Sequence, residues 1–328
     1  MRQPSATATA TLRPIDIPGD LPAIVDLMTD MNRHDGVEWF PTVESIANEW
    51  SPGAGYEPLR DTVVLEADGR VIGGARHSWR ERESAIVHRI EVWVRPSERR
   101  RGHGRRLLEW AEARARESVA EGVVTPGGMD QFFGGFTGKE LPASAAFVAA
   151  MGYAPIRFHV EMRRPIDAPI PDAPLPDGLE VRPVLPDHHR AIWDADAEAF
   201  RDHWDHAAVG EDDYLRFFAE PDLDTSLWQI AWDGDEVAGL VINAILPHEN
   251  EATGNKVGWL ESVATRRPWR RRGVAGALIA RSLRVLGERG METAALGVDT
   301  ESPTGALSLY ESFGFQPERT WMFLRKPF

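Results

Sequence analysis

The chain has 328 residues, enough for two domains of ordinary size, and its 42% hydrophobic and 27% charged residues fit globular protein rather than disorder. A formal net charge of −14 argues against a general nucleic-acid binder, because a phosphate backbone demands a basic face. There is no cysteine, which removes disulfides, thiolate metal sites and a cysteine nucleophile. No apolar run nears the roughly 20 residues that span a bilayer, and the stretch from Met1 to Ala10 lacks the apolar core of a secretory signal, so a cytoplasmic protein is expected.

In chain order, Thr11 to Asp20 reads as a short strand leading into a helix over about 21–33. Residues 61–75 read as strand, tight turn at Asp68-Gly69, strand, and 85–94 as a further strand. Then comes Arg99-Arg-Arg-Gly-His-Gly104, opening a helix over about 102–118. The stretch 125–138 is rich in glycine and does not read as a clean strand. Residues 165–178 carry five prolines and read as an extended, fairly stiff linker. This places domains at 1–165 and 178–328, with the linker at 166–177.

After the linker the order repeats. A short strand and a helix over about 187–200 are followed by strand, turn at Asp233-Gly234, strand, and then a strand over 256–265. Arg270-Arg-Arg-Gly-Val-Ala275 opens a helix over about 273–288, where Val274, Leu278, Ile279, Leu283 and Leu286 share one stripe. A strand, a helix and a closing apolar strand complete the repeat. The economical architecture is α/β, a mixed sheet in each half with helices on both faces.

Only three of the 37 basic residues are lysine, so a run of arginines alone is weak evidence. The glycines and the strand-to-helix setting carry the inference. Such a turn aims several backbone N–H groups at one spot, at the positive end of a helix dipole, which suits a pyrophosphate. Two copies suggest a duplicated domain and a phosphate-bearing cofactor such as coenzyme A.

On these residues the chain resembles the GCN5-related N-acetyltransferases, the GNAT superfamily, in two tandem copies over nearly its whole length. The family signature Arg/Gln-x-x-Gly-x-Gly/Ala matches Arg270 to Ala275 and Arg99 to Gly104. The stretch Leu296 to Phe315 resembles the family's fifth strand and fourth helix, with Tyr310, four residues before Gly314, in the place of the usual general acid. In the first half the same count back from Gly152 gives Val148, which has no proton to give. The resemblance therefore implies catalysis in the C-terminal domain and a degenerate N-terminal copy. The two-copy arrangement is similar to that of the mycothiol synthases, in which the second copy is the active one.

The resemblance implies further roles. Acetyl-CoA, or another short acyl-CoA, would be held by Arg270, Arg271, Arg272, Gly273, Val274, Ala275 and Gly276. Backbone groups of Val263 and Thr265 would pair with the pantetheine arm, the amide of Val263 also facing the oxyanion, and Ser302 stands where the family commonly has an asparagine. Arg99, Arg100, Arg101, Gly102, His103 and Gly104 would form a second, weaker site. Tyr310 would protonate the departing thiolate. The family's glutamate base falls at Trp259 here, so Glu261, a water chain or deprotonation of the substrate itself all stay open. Glu261 lies two residues before Val263 and so is expected on the same face.

The segment Asp202-His-Trp-Asp-His206 lacks a third distant ligand set, which leaves no metal site. It reads as a plain amphipathic turn or, through Asp202, His203 and Trp204, as lining of the acceptor pocket. Expected partners are a small-molecule amine or a peptide, with no nucleic acid and no membrane. The expected assembly is a monomer with paired domains or a homodimer. Acylation of a cysteinyl pseudo-disaccharide and a non-catalytic acyl-CoA-binding module are the alternatives.

Overall fold

The computed structural model describes residues 10–82, 85–204, 206–302 and 305–328. The chain divides into two compact units. Unit 1 comprises residues up to Phe136, Ala146–Ala154 and Leu324–Phe328; unit 2 comprises Thr137–Ala145 and Pro155–Phe323. A strand that precedes the proline-rich stretch thus folds with unit 2, and the last five residues fold with unit 1.

Unit 1 holds strands β1 (Thr11–Pro14), β2 (Thr62–Ala67), β3 (Arg70–Glu81), β4 (Ala85–Val94) and β5 (Asp130–Gly138), adjacent in that order. The first four are antiparallel, and β4 and β5 are parallel. Its helices are α1 (Leu21–Asp35), α2 (Val43–Glu49), α3 (Pro58–Asp61), α4 (His103–Ala120) and, from Ala146 onward, α5 (Pro142–Ala150). Leu21, Ile24, Leu27 and Met28 of α1 pack with Val64, Val71 and Trp93 in one core. The β2–β3 turn sits at Asp68-Gly69, both residues at positive φ.

The expectation of no clean strand in 125–138 is corrected by β5. Its glycines answer to close packing: a Cβ on Gly134 would lie 2.6 Å from the Val87 Cγ1 of β4. Glycine weakens strand propensity in general, but here the approach of a neighbouring side chain leaves room for nothing else.

Unit 2 holds β6 (Ala154–Pro165) from Pro155 onward, β7 (Glu180–Val181), β8 (Gln229–Asp233), β9 (Glu236–Ile245), β10 (Val257–Thr265), β11 (Thr293–Asp299) and β12 (Gln316–Pro327) as far as Phe323. Their order is β12-β6-β11-β10-β9-β8-β7. β10 and β11 run parallel, whereas β6–β11, β10–β9, β9–β8 and β8–β7 are antiparallel. The helices are α6 (His189–Ala199), α7 (Glu211–Phe218), α8 (Pro247–Thr253), α9 (Val274–Glu288) and α10 (Ala306–Ser312). The β8–β9 turn is Gly234-Asp235, one residue later than expected, because β8 runs through Asp233 and only Gly234 there takes positive φ.

The periodic stripe of α9 is buried as its spacing requires. Val274, Leu278, Ile279, Leu283 and Leu286 join Leu260, Leu296, Tyr310 and Phe313 in one core. On the opposite face Ile192, Ala195 and Ala199 of α6 pack on Ile230, Leu240 and Ile242. The proline-rich stretch is not a free tether. Ile166, Ile170, Ala173 and Leu175 pack against the α9 core.

Arg164 fastens this strap. Its guanidinium is buried and donates to the carbonyls of Phe313 (2.5 Å), Ala168 (2.6 Å) and Pro165 (3.1 Å). The Phe313 carbonyl lies at the C-terminus of α10, where a cation is favoured. Each buried carbonyl left unpaired costs about 1–3 kcal/mol. Arg164→Ala is therefore expected to lower unfolding free energy by about 3 kcal/mol in urea denaturation and to expose the strap to limited proteolysis.

Candidate active site

Two loops share one backbone conformation. A 3-10 turn, Pro96–Glu98 in unit 1 and Arg267–Trp269 in unit 2, leads into an extended arginine, Arg99 (ψ 163°) or Arg270 (ψ 153°). The next residue is left-handed although it is not glycine: Arg100 at φ 63° and Arg271 at φ 60°. Gly102 (φ 85°, ψ −7°) and Gly273 (φ 89°, ψ 1°) then cap α4 and α9. An L-residue in the left-handed region costs roughly 1–2 kcal/mol, so the fold spends energy to hold this turn twice. Neither cap residue satisfies the first helical amides with a side chain, and no atom lies within 4 Å of a Cβ placed on Gly273. The first amides of α9, at Val274, Ala275 and Gly276, thus receive no side-chain cap.

The three arginines of each triplet do different work. Arg270 donates from Nε to the Thr265 carbonyl (3.0 Å) and from its Nη atoms to the Ala199 carbonyl (3.1 Å) and to Asp202 (3.2 Å). Arg99 repeats this, with Nε on the Val94 carbonyl (3.2 Å) and a bidentate pair to Asp35, both bonds 2.7 Å. The first arginine therefore staples the loop to the strand end. Arg271 and Arg272 are exposed, and among the described residues neither has a side-chain partner. Arg101 is held by Glu98 at 2.6 Å, while His103 and Gly104 open α4, with the Phe147 ring 3.4 Å from a Cβ placed on Gly104.

The strand before the loop parts from its neighbour. β10 pairs with β11 only from Val257 to Leu260, opposite Thr293 to Leu296, while it stays paired with β9 as far as Thr265. Beyond Leu260 the two strands leave a gap. Arg266 N donates to the Ala238 carbonyl across β9. Strand alternation then turns the amides of Val263 and Thr265 toward the gap. The Thr265 carbonyl on that side is taken by Arg270, so the amides remain.

A β-bulge sits at Glu261, where the β10–β9 register shifts between Leu260 and Ser262. Bulges re-aim side chains. This one breaks the two-residue period on which the expected shared face of Glu261 and Val263 rested. Val263 packs against the α9 core, whereas Ser262 donates to Asp196 of α6 at 2.6 Å. Glu261 is an exposed residue whose carboxyl is raised above the ordinary range by desolvation from the protein beside it. Asp196 is raised to about 6 by desolvation, against the opposing pull of the Ser262 hydroxyl. Sequence reasoning missed both the bulge and the Asp196–Ser262 contact. A bulge has no signature in Leu-Glu-Ser, and the contact joins residues 66 positions apart.

Tyr310 lies on α10, is buried in the α9 core, and has its phenol pushed up to about 12 by burial. Ser302 lies just past β11, where its amide donates to the Asp299 carbonyl at 3.1 Å. Asp202 is an anchor for the loop. Arg267 and Arg270 grip it, and the Arg267 hydrogen bond foremost pulls its carboxyl down to about 2. His203 packs at a tilt against Phe200 (4.3 Å), and Trp204 lies under the Arg157 guanidinium (5.4 Å) and beside Phe323 (5.7 Å). Asp205 of that segment lies outside the described residues. Among the described residues no cluster of His, Asp and Glu could hold a metal ion. A hollow of about 470 Å³ on the outer side of α6, lined by Arg190, Trp193 and Glu211 among others, includes neither the loop nor the gap.

Unit 1 has the same loop and the same gap, since β4 pairs with β5 only from Ala85 to Arg89. It lacks the bulge, because the β3–β4 register runs without a shift. Glu91 on β4 is clamped by Arg76 (2.6 Å) and Arg89 (2.5 Å). Its burial is outweighed by the two guanidinium charges, which pull the carboxyl down to about 2. Val148 falls on α5.

The acetyltransferase (GNAT) family model matches residues 23–125 and 189–315. The chain belongs to the GNAT family. It is an N-acetyltransferase, and enzymes of this family in general use acetyl-CoA. Among relatives, a mycothiol acetyltransferase of Thermomonospora curvata is 30% identical over 297 residues, 89% of each chain. One of Salinispora tropica is 31% identical over 263 residues, 79% of each. A GCN5-related N-acetyltransferase from Sphaerobacter thermophilus matches with TM-score 0.70 and 26% identity, covering 97% of this chain and 95% of that one. A tandem GNAT protein from the clavulanic acid biosynthesis pathway shares the fold, with TM-score 0.70 at 18% identity over 97% and 98% of the two chains. No helix among the described residues is long and apolar enough to cross a membrane.

The different duties of the GNAT loop arginines are separable by experiment. Arg270→Ala should lower the melting temperature, because it unfastens the loop, whereas Arg271→Ala should leave melting unchanged and weaken coenzyme A binding several-fold by calorimetry. Asp196 offers a second check. A carboxyl raised in the folded state favours folding at low pH, and that advantage is lost as pH rises from about 4 toward 6. Asp196→Asn should flatten the melting temperature across this window and raise it relative to wild type at pH 7.

Proposed function

We propose that acetyl transfer takes place in unit 2, from acetyl-CoA to a small-molecule amine. The observation that carries this reading is the conjunction of the capped turn, a buried phenol and a bulged strand gap, the bulge at the gap being found in unit 2 alone among the described residues. Diphosphate oxygens would accept from the amides of Val274, Ala275 and Gly276, with Arg271 and Arg272 adding charge. Gly273 keeps that surface clear. The amides of Val263 and Thr265 would pair with the pantetheine arm as an added strand would, and the Val263 amide would face the oxygen that gains charge as the amine attacks.

Tyr310, held protonated by burial, would give its proton to the departing thiolate. Glu261 is one candidate for the proton acceptor, its raised carboxyl bringing it nearer to working pH. The loop of unit 1 would hold a second acyl-CoA more weakly, with Val148 and the clamped Glu91 offering no chemistry. A donor thioester of this kind suits a cytoplasmic enzyme.

A mycothiol synthase-type reaction, acetylating a cysteinyl pseudo-disaccharide, is favoured by relatives at about 30% identity over 89% of the chain. Against it stands Trp259, at the place of the family's usual glutamate, its ring under the Arg163 guanidinium at 5.9 Å.

The test combines two glycine variants with one tyrosine variant. Gly273→Glu should abolish acetylation, since it places a side chain and a negative charge on the diphosphate surface, while Gly102→Glu should leave much of it. Tyr310→Phe should lower kcat by about 100-fold with the acetyl-CoA KM kept. Loss on Gly102→Glu alone would move catalysis to unit 1. Coenzyme A binding with no acetylated product from any amine would support a binding module instead.

A further inference from the structure

The proton acceptor for the attacking amine is the open role in this mechanism, and the inference below rests on the reading that acetyl transfer occurs in unit 2. β6 alternates across the unit 2 sheet. Val160 and Met162 enter the α9 core, so Arg157, His159, Glu161 and Arg163 lie on the opposite face. β11 does the same. Ala294, Leu296 and Val298 are core residues, which puts Ala295, Gly297 and Asp299 on the opposite face. Register sets His159 against Asp299 and Glu161 against Gly297.

Gly297 is the first residue of β11 beyond its pairing with β10, so it stands at the mouth of the gap. A Cβ placed there would lie 2.7 Å from His159 Nε2. The imidazole therefore lies directly over the Gly297 backbone, at the edge of the gap and on the face away from Tyr310. Nε2 is buried and makes no hydrogen bond of ordinary geometry among the described residues.

The charges around this ring are largely spoken for. Arg157 holds Asp299 at 2.9 Å and Glu301 at 2.8 Å. Glu161 is held by Arg163 at 2.8 Å, and Arg163 also reaches Glu318 at 3.2 Å. The Phe323 ring of β12 lies 6.2 Å away. From the segment after α6, His203 and Asp202 lie on the same side, Asp202 being bound to Arg267 and Arg270. Burial lowers the basicity of His159, opposed by the Gly297 backbone and by Asp299. Nε2 faces the Gly297 backbone, and the neutral tautomer with its proton on that side keeps the lone pair on Nδ1.

We propose that His159, carried into unit 2 on β6, is the general base that takes the proton of the acceptor amine. The amine nitrogen attacks the thioester carbonyl carbon from the face that carries His159. The C–N bond forms and the C–S bond breaks. The surplus amine proton passes to Nδ1, the thiolate takes the Tyr310 proton from the other face, and the imidazolium returns its proton through solvent to the phenolate. The products are an amide and free thiol.

The experiment uses the full chain, acetyl-CoA and a panel of glucosamine, spermidine, glycylglycine and S-methylcysteine, with product read by mass spectrometry. His159→Gln is expected to lower kcat/KM for the best amine by about 100-fold, to keep the acetyl-CoA KM and the melting temperature, and to abolish the acid limb of the pH–rate profile. His159→Ala should regain part of the rate on addition of imidazole. Gly297→Ala, which pushes a methyl into the ring, should lose rate in the same way. Nitrogen NMR of the free protein should show His159 neutral with its proton on Nε2 at pH 7. Wild-type rate and pH profile in His159→Gln would overturn the assignment, as would loss of the acid limb in Glu261→Gln instead, in both cases leaving the Tyr310 result intact. No acetylated product from the wild type with any of the four amines would overturn acetyl transfer in unit 2, and this assignment with it.

Discussion

Once β10 has left β11 behind at Leu260, its amides at Val263 and Thr265 have lost one row of partners. A shielded backbone donor without an acceptor costs about 1–3 kcal/mol, so this stretch of strand is poised to pair with something else. The gap cannot close, because β11 is held on its far side by β6 as far as Asp299, while β10 is held by β9 as far as Thr265. The sheet itself keeps the opening apart. The bulge at Glu261 then turns consecutive side chains away from the regular alternation at the narrow end of that opening.

The turn at Gly273 is tied to the same strand. Arg270 reaches back to the Thr265 carbonyl, and through Ala199 and Asp202 to the end of α6. One guanidinium thus fixes the distance between the end of the gap and the start of α9. That explains why a triplet of arginines contains one residue that is not free to meet a ligand. In unit 1, Arg99 does the same with Val94 and Asp35, so both turns are anchored to the strand before them in the same way.

Much of this was legible in the sequence. The repeat of strand, arginine-glycine turn and helix gave the GNAT fold, and the stripe on α9 was read residue by residue. What stayed hidden were features that depend on partners distant in the chain. Gly134 and Gly135 looked like loop residues because the neighbour that requires Gly134 to be small, Val87, is 47 positions earlier. The strap from Ile166 to Leu175 looked like a tether, since proline content reports stiffness but not the core it packs against. Membership of β6 in unit 2 has no local signal at all, and with it the placement of His159 opposite Asp299 was invisible. Arg270 was read as a cofactor residue and Asp202 as part of a plain turn or of an acceptor wall, and the contact between them, 68 positions apart, has no local signal.

In the proposed mechanism a thioester carrier would lie along β10 with its diphosphate on the start of α9 and its sulfur at Tyr310. A crystal structure with acetyl-CoA tests this most directly. The predicted result is diphosphate oxygens on the amides of Val274 to Gly276 and the sulfur within hydrogen-bond reach of the Tyr310 hydroxyl. A carrier seated only on the Gly102 turn, or a sulfur remote from Tyr310, would contradict it.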